Sequence, residues 1–135
     1  MLKVEHIGIA VKNLTDSVPL FEKLFNTSCY KIETVESEKV NTAFLKKGET
    51  KIELLESAEE SGVITKFIAQ RGEGFHHLAF EVSDIVAEMA RLKAEGFIQL
   101  NEQPKRGADH KWVCFLHPKE TNGVLIELCQ EISES

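Results

Sequence analysis

The chain is short of the residues that stiffen or cross-link a small fold. Its 135 residues include three prolines, one tryptophan, one tyrosine and three cysteines. Cys29, Cys114 and Cys129 are odd in number, widely spaced and form no Cys-x-x-Cys pair. That favours buried, reduced thiols over disulfides or a zinc knuckle. No apolar run approaches the ~20 residues of a membrane span. The first residues read straight into a strand without a signal-peptide core, so a cytoplasmic protein with no membrane partner is expected. Excess positive charge is also missing. A formal net charge of −6 argues against nucleic acid as a partner. It does not exclude a small anion, because a local basic cluster holds one against the global sign. Lys105, Arg106, Lys111 and Lys119 are such a concentration.

What is present points to a compact core. Hydrophobic residues are 42% and charged residues 28% of the chain, the balance of a globular protein. The sequence is also internally duplicated. His6-Ile-Gly-Ile-Ala-Val11 is followed by a helix signal, with Asn13 as cap and Leu14, Val18, Phe21 and Leu24-Phe25 as apolar stripe. Pro19 falls inside that pattern and predicts a helix start or irregularity near it. His77-Leu-Ala-Phe-Glu-Val82 is followed by Ser83 or Asp84 as cap, the stripe Ile85, Met89 and Leu92, and a stop at Gly96.

Three strand-like runs follow each helix: 28–34, 40–46 and 50–56, then 97–101, 111–116 and 123–129. The repeat spans residues 3–56 and 74–130, joined by a linker helix over 58–71, and the whole chain reads as one domain. Residues 131–135 read as a frayed tail. Strand, helix and three strands in a row cannot make a doubly wound parallel sheet. The predicted class is α+β: two βαβββ modules in a curved, mostly antiparallel, barrel-like sheet with a central metal cleft.

Strand alternation sorts the side chains into faces. Ile7, Ile9 and Val11 share one face, as do Leu78, Phe80 and Val82. The opposite faces carry His6 and His77, each followed by a small residue, Gly8 or Ala79. Glu53 and Glu127 each interrupt an apolar strand between Ile and Leu. A carboxylate buried there needs a partner, and a cation supplies one. His6 and His77 are 71 positions apart, Glu53 and Glu127 74. Two imidazoles and two carboxylates suit a first-row divalent ion such as Co, Mn, Ni, Fe or Zn. The remaining histidines read less readily as ligands: His76 points to the other face, for packing or a contact behind the ligands, His110 lies in a loop, and His117 before Pro118 caps a turn or touches a ligand, with the turn favoured. Lys105-Arg106 reads as a solvated loop or a phosphate contact.

These residues resemble the vicinal oxygen chelate, or glyoxalase-like, superfamily, and within it the methylmalonyl-CoA epimerase family. The matching stretches run in order along nearly the whole chain: residues 6–11, Ala43-Phe-Leu45, residues 48–56, residues 72–80, residues 115–119, and Gly123-Val-Leu-Ile-Glu-Leu-Cys-Gln130. The resemblance implies that His6, His77, Glu127 and Glu53 hold a divalent metal. It implies an isomerase that epimerises methylmalonyl-CoA by removing the proton alpha to the thioester, the cation stabilising charge on the enolate oxygen. An acyl-CoA substrate and a homodimer are further implications, with Lys105, Arg106 and Lys119 as CoA-contact candidates. Inversion needs two acid/base groups. Glu127 matches one. For the other, many relatives read Glu-Gln where this chain reads Ser37-Glu38, which leaves Glu36 or Glu38, both on one face if the segment is a strand. Glyoxalase I shares the ligand set but usually carries an Asp-Pro-Asp-Gly turn, where this chain has His117-Pro118-Lys119 and Asn122-Gly123. A non-catalytic binding protein of the same fold often lacks the ligands.

Overall fold

The computed structural model describes residues 1–133. The chain divides into two compact units, one of residues 6–76 and one of residues 77 onward together with Met1–Glu5. The first unit contains most of β1 (Lys3–Ala10), then α1 (Leu14–Phe25), β2 (Lys31–Val35), β3 (Val40–Lys47), β4 (Thr50–Ser57) and α2 (Val63–Arg71). The second contains most of β5 (Gly74–Glu81), then α3 (Ile85–Ala94), β6 (Lys105–Gly107), β7 (Lys111–Leu116) and β8 (Ile126–Glu131).

Both modules follow the same path. In the first, β2–β3 and β3–β4 are antiparallel while β4 runs parallel to β1. In the second, β6–β7 and β7–β8 are antiparallel while β8 runs parallel to β5. A parallel closing pair needs a crossover, and the helix with its two following strands supplies it. The βαβββ order expected from the sequence is therefore present twice, with mostly antiparallel pairing.

The large apolar faces meet the helices. Ile7, Ile9, Val11, Ala43, Leu45, Ile52 and Leu54 pack with Leu14, Val18, Phe21 and Phe25 of α1. Val82, Cys114, Leu116 and Leu128 pack with Ile85, Met89 and Leu92 of α3. Leu24, placed in the stripe by its spacing, is instead 66% exposed. Asn13 caps α1 by accepting from the Asp16 N–H at 2.8 Å, and Asp84 caps α3 from Ala87 at 3.0 Å. The expected irregularity at Pro19 does not interrupt α1, which runs through it.

One pair of contacts repeats the duplication at atomic level. The first backbone N–H of α1, on Leu14, donates to Glu56 Oε2 at 2.6 Å. The first N–H of α3, on Ile85, donates to Gln130 Oε1 at 2.7 Å. Glu56 and Gln130 each lie three residues after the strand glutamate, Glu53 or Glu127. An odd spacing puts the pair on opposite faces of one strand, so the same strand that presents a glutamate on one side fastens a helix on the other.

Four boundaries differ from the sequence reading. The linker helix begins at Val63 rather than 58, after a turn over residues 58–62. Residues 97–101 contribute only an isolated bridge, Gln99 to Leu116. The first strand of that series is instead Lys105–Gly107, so the segment read as a solvated loop pairs with β7. The tail read from Glu131 is partly ordered: Glu131 ends β8 and the Ile132 N–H donates to the His110 carbonyl at 3.2 Å. Residues 134–135 lie outside the described residues. No helix among the described residues is long and apolar enough to cross a membrane.

All three cysteines are unbridged. Burial pushes the Cys114 thiol up from 9.0 to about 11, and Lys105 opposes the shift only weakly. Unfolding exposes the thiol and returns it to its ordinary value. The stabilising contribution is therefore whole below pH 9 and is lost as the pH rises towards 11. With iodoacetamide at pH 8 the folded protein is expected to react at half-buried Cys29 and to spare Cys114, read by peptide mass mapping. Gln130→Leu removes the acceptor of the Ile85 N–H and is expected to cost about 1–3 kcal/mol, measured by urea unfolding.

Candidate metal centre

In the first module Glu53 stands beside Gly8 in the parallel β1–β4 register. His6 lies two residues before that glycine, on the same face. Gly8 adds no side chain between them, and the His6 Nδ1 sits 2.9 Å from Glu53 Oε2. In the second module Ala79 is the register partner of Glu127. His77, two residues earlier, places Nε2 3.2 Å from Glu127 Oε1. All four residues are nearly sealed from solvent, at 3–6% exposure. The sequence pattern of histidine, small residue and opposed glutamate is thus a geometric fact in each module.

These separations fit a metal. Two ligand atoms on one first-row ion, each about 2.1 Å from it and at right angles, lie about 3 Å apart. An imidazole nitrogen beside a carboxylate oxygen is a donor set that Zn, Co, Mn, Ni and Fe all accept. Each module therefore carries one imidazole–carboxylate pair of a kind that suits a divalent ion, buried enough that the carboxylate is strongly driven to find a cation or a donor.

The register also exposes residues that the sequence reading did not place at the site. Phe44 is directly opposite Glu53 on β3, and Phe115 is directly opposite Glu127 on β7. The Phe115 ring meets the His77 imidazole edge-on at 5.8 Å. Lys31 lies over the Phe44 ring at 4.8 Å and Lys105 over the Phe115 ring at 5.9 Å. Each module presents the same set of lysine, phenylalanine, glutamate and histidine. Phe44 and Glu53 are nine apart, Phe115 and Glu127 twelve. The unequal turns hide the match until the strand pairing is known.

The other candidates fall into distinct places. Lys105 is on the Glu127 face, whereas Arg106 lies over Trp112 at 5.2 Å, on the face that packs against α3. Lys119 is exposed in the short helical turn Pro118–Glu120. Lys111 leaves the basic cluster altogether: it is 4% exposed, and its Nζ is 3.3 Å from Glu131. His76 packs edge-on against Phe67 at 4.8 Å, and His117 accepts from the Lys119 N–H at 3.0 Å, capping its turn as anticipated. Glu36–Glu38 is a single 3-10 turn ended by Lys39 in the left-handed region, φ 56°. Alternation does not hold in such a turn, so the two glutamates do not share a face. Glu36 is exposed; Glu38 is half-buried, with its Oε1 covered.

Comparison with known proteins follows the geometry. Residues 5–115 match the Glyoxalase/Bleomycin resistance protein/Dioxygenase superfamily. The uncharacterized protein YqjC of Bacillus subtilis is 37% identical over 131 residues, covering 96% of this chain and 93% of that one. The mitochondrial methylmalonyl-CoA epimerase of Dictyostelium discoideum is 37% identical over 127 residues, covering 93% and 76%. A Streptomyces coelicolor methylmalonyl-CoA epimerase solved with 2-nitronate-propionyl-CoA superposes with a TM-score of 0.93 at 32% identity, covering 98% of this chain and 99% of that one. The chain belongs to the glyoxalase, bleomycin resistance protein and dioxygenase superfamily and, within it, to the methylmalonyl-CoA epimerase family.

Proposed function

We propose that the protein is a metal-dependent epimerase of methylmalonyl-CoA, with His6, Glu53, His77 and Glu127 holding one divalent ion. The observation that carries this reading is the matched pair of buried imidazole–carboxylate contacts, 2.9 Å and 3.2 Å, at equivalent positions of a duplicated module. The family to which the chain belongs supports the substrate class. When bound, the ion supplies positive charge to the acyl oxygens, which acidifies the carbon between thioester and carboxylate.

The chain's own residues move the proton. Inversion at that carbon takes one proton from one side and returns one to the other, so two acid/base groups are needed. Glu127 serves one side. Glu38 serves the other: it is half-buried with its Oε1 covered, whereas Glu36 is exposed. The turn compensates for Ser37, which has no group able to accept the proton from carbon. The enzyme works as a cytoplasmic homodimer on a soluble acyl-CoA, without nucleic acid or membrane; its net charge of −6 agrees with the absence of a nucleic-acid partner.

Metal-loaded protein given one methylmalonyl-CoA epimer in deuterated water is expected to incorporate deuterium at the alpha carbon and racemise it. Chelator-treated protein should lose the activity and regain it with added divalent ion. No exchange with any of Co, Mn, Ni, Fe or Zn defeats the reading, and turnover of the methylglyoxal–glutathione hemithioacetal instead would make the protein a glyoxalase. Glu38→Gln is expected to lower kcat by about 10²–10⁴-fold with metal content unchanged, while Glu36→Gln leaves it near wild type. The reverse order would move the second base to Glu36.

A further inference from the structure

The duplication breaks at one pair of matching positions beside the glutamates. Thr42 lies two residues before Phe44 on β3, and Val113 two residues before Phe115 on β7. Thr42 is opposite Leu55, two residues beyond Glu53, and Val113 is opposite Cys129, two residues beyond Glu127. Residues two apart share a face, so Thr42 stands on the Glu53 face and Val113 on the Glu127 face. The two side chains have nearly the same shape and differ by a hydroxyl in place of a methyl group.

Packing explains the valine, which is buried with Ala79 and Cys129 against Phe115. It does not explain the threonine. Thr42 is wholly buried, and its Oγ1 has no hydrogen-bond partner among the described residues. A hydroxyl taken out of water without a partner is unfavourable, and a valine there would fill the same space without that cost. Leu55, directly opposite on one side, is apolar and packs with Ile64 of α2. Glu33, directly opposite on the other, has its carboxylate 3.3 Å from Lys31. Glu53 is the diagonal neighbour of Thr42 across the β3–β4 pair, a relation that long side chains span. Its Oε2 meets His6 Nδ1 at 2.9 Å.

We infer that Thr42 is a positioning residue for Glu53, its hydroxyl donating to the Glu53 carboxylate when that carboxylate holds a divalent ion. The inference rests on the metal-dependent reading given above and adds a residue behind the ligands. Once His6 and Glu53 both bind a cation they no longer answer each other, and the carboxylate accepts from the hydroxyl already buried beside it. No opening to solvent is needed, because Glu53 reaches Thr42 by turning within its own strand pair. The broken symmetry also separates the two glutamates. Glu53 is held as a ligand, whereas Val113 offers Glu127 no hydroxyl at the matching place, which suits its proposed duty in proton transfer.

The test is calorimetric titration of the full chain with the tightest-binding of Co, Mn, Ni, Fe and Zn, with urea unfolding of the same samples before the ion is added. Thr42→Val is expected to weaken ion binding about tenfold. Thr42→Ser keeps the hydroxyl and is expected to stay within about threefold of wild type. Before the ion is added, Thr42→Val is expected to unfold at no lower urea concentration than wild type, because the hydroxyl it removes makes no bond there. At saturating ion it is expected to keep at least about half of the wild-type kcat, since the loss lies in metal affinity. Unchanged ion affinity in Thr42→Val overturns the inference. An equal loss in Thr42→Ser also overturns it, because shape and not the hydroxyl would then be the cause. Misfolding or earlier unfolding of Thr42→Val without the ion does the same, since the hydroxyl would then serve the fold. A kcat that stays about tenfold low at saturating ion overturns it too, because Thr42 would then act on the reacting group. Wild type that binds none of the five ions defeats the metal reading and the inference together. Hydroxyl-dependent ion binding without alpha-proton exchange defeats the reaction and leaves the positioning role standing.

Discussion

A carboxylate in the middle of an apolar strand has to be compensated, and both modules are organised around that requirement. Glu53 lies between Ile52 and Leu54, Glu127 between Ile126 and Leu128, and each is nearly sealed from water. Leaving either without a donor or cation would cost several kcal/mol. The imidazole two residues before a small residue answers the need in both places. Gly8 and Ala79 matter because they stand directly beside the glutamates in the parallel register.

The same strands meet a second demand on their other face. Each helix starts with an N–H that has no partner inside the helix. Glu56 and Gln130, three residues after the site glutamates, accept those N–H groups. One short strand segment therefore anchors its helix and aims its glutamate, and the alternation of the pleat keeps the two duties apart. This coupling ties the site to the fold: loosening the helix loosens the strand that positions Glu53 or Glu127. The modules differ where these constraints do not reach. β6 has three residues against five in β2, and α3 has ten against twelve in α1.

Much of this was legible from residue order, for physical reasons that particular positions show. Side-chain alternation along a strand is a local rule, so His6 with Gly8 and His77 with Ala79 could be assigned to one face without knowing any pairing. Helix caps are equally local, and Asn13 and Asp84 act as anticipated. The errors fell where local rules compete. Lys105-Arg106 has loop composition, yet pairing with Val113 and Trp112 makes it a strand. Lys111 reads as a surface cation, yet it is buried with its head group at Glu131. Leu24 continues the apolar periodicity of α1 but faces outward.

The sequence by itself determined the duplication, the βαβββ order and the four ligand-type residues, because each follows from periodicity within a few residues. The tertiary structure decided what depends on strand register. It set Phe44 opposite Glu53 and Phe115 opposite Glu127, and separated Lys105 from Arg106. It also turned Glu36–Glu38 into a 3-10 turn, which breaks the alternation that had made the two glutamates equivalent. Register is fixed by long-range packing and by the lengths of turns, and neither is written in the spacing of residues along the chain. The buried glutamates could therefore be named from sequence, while the groups that surround them could not.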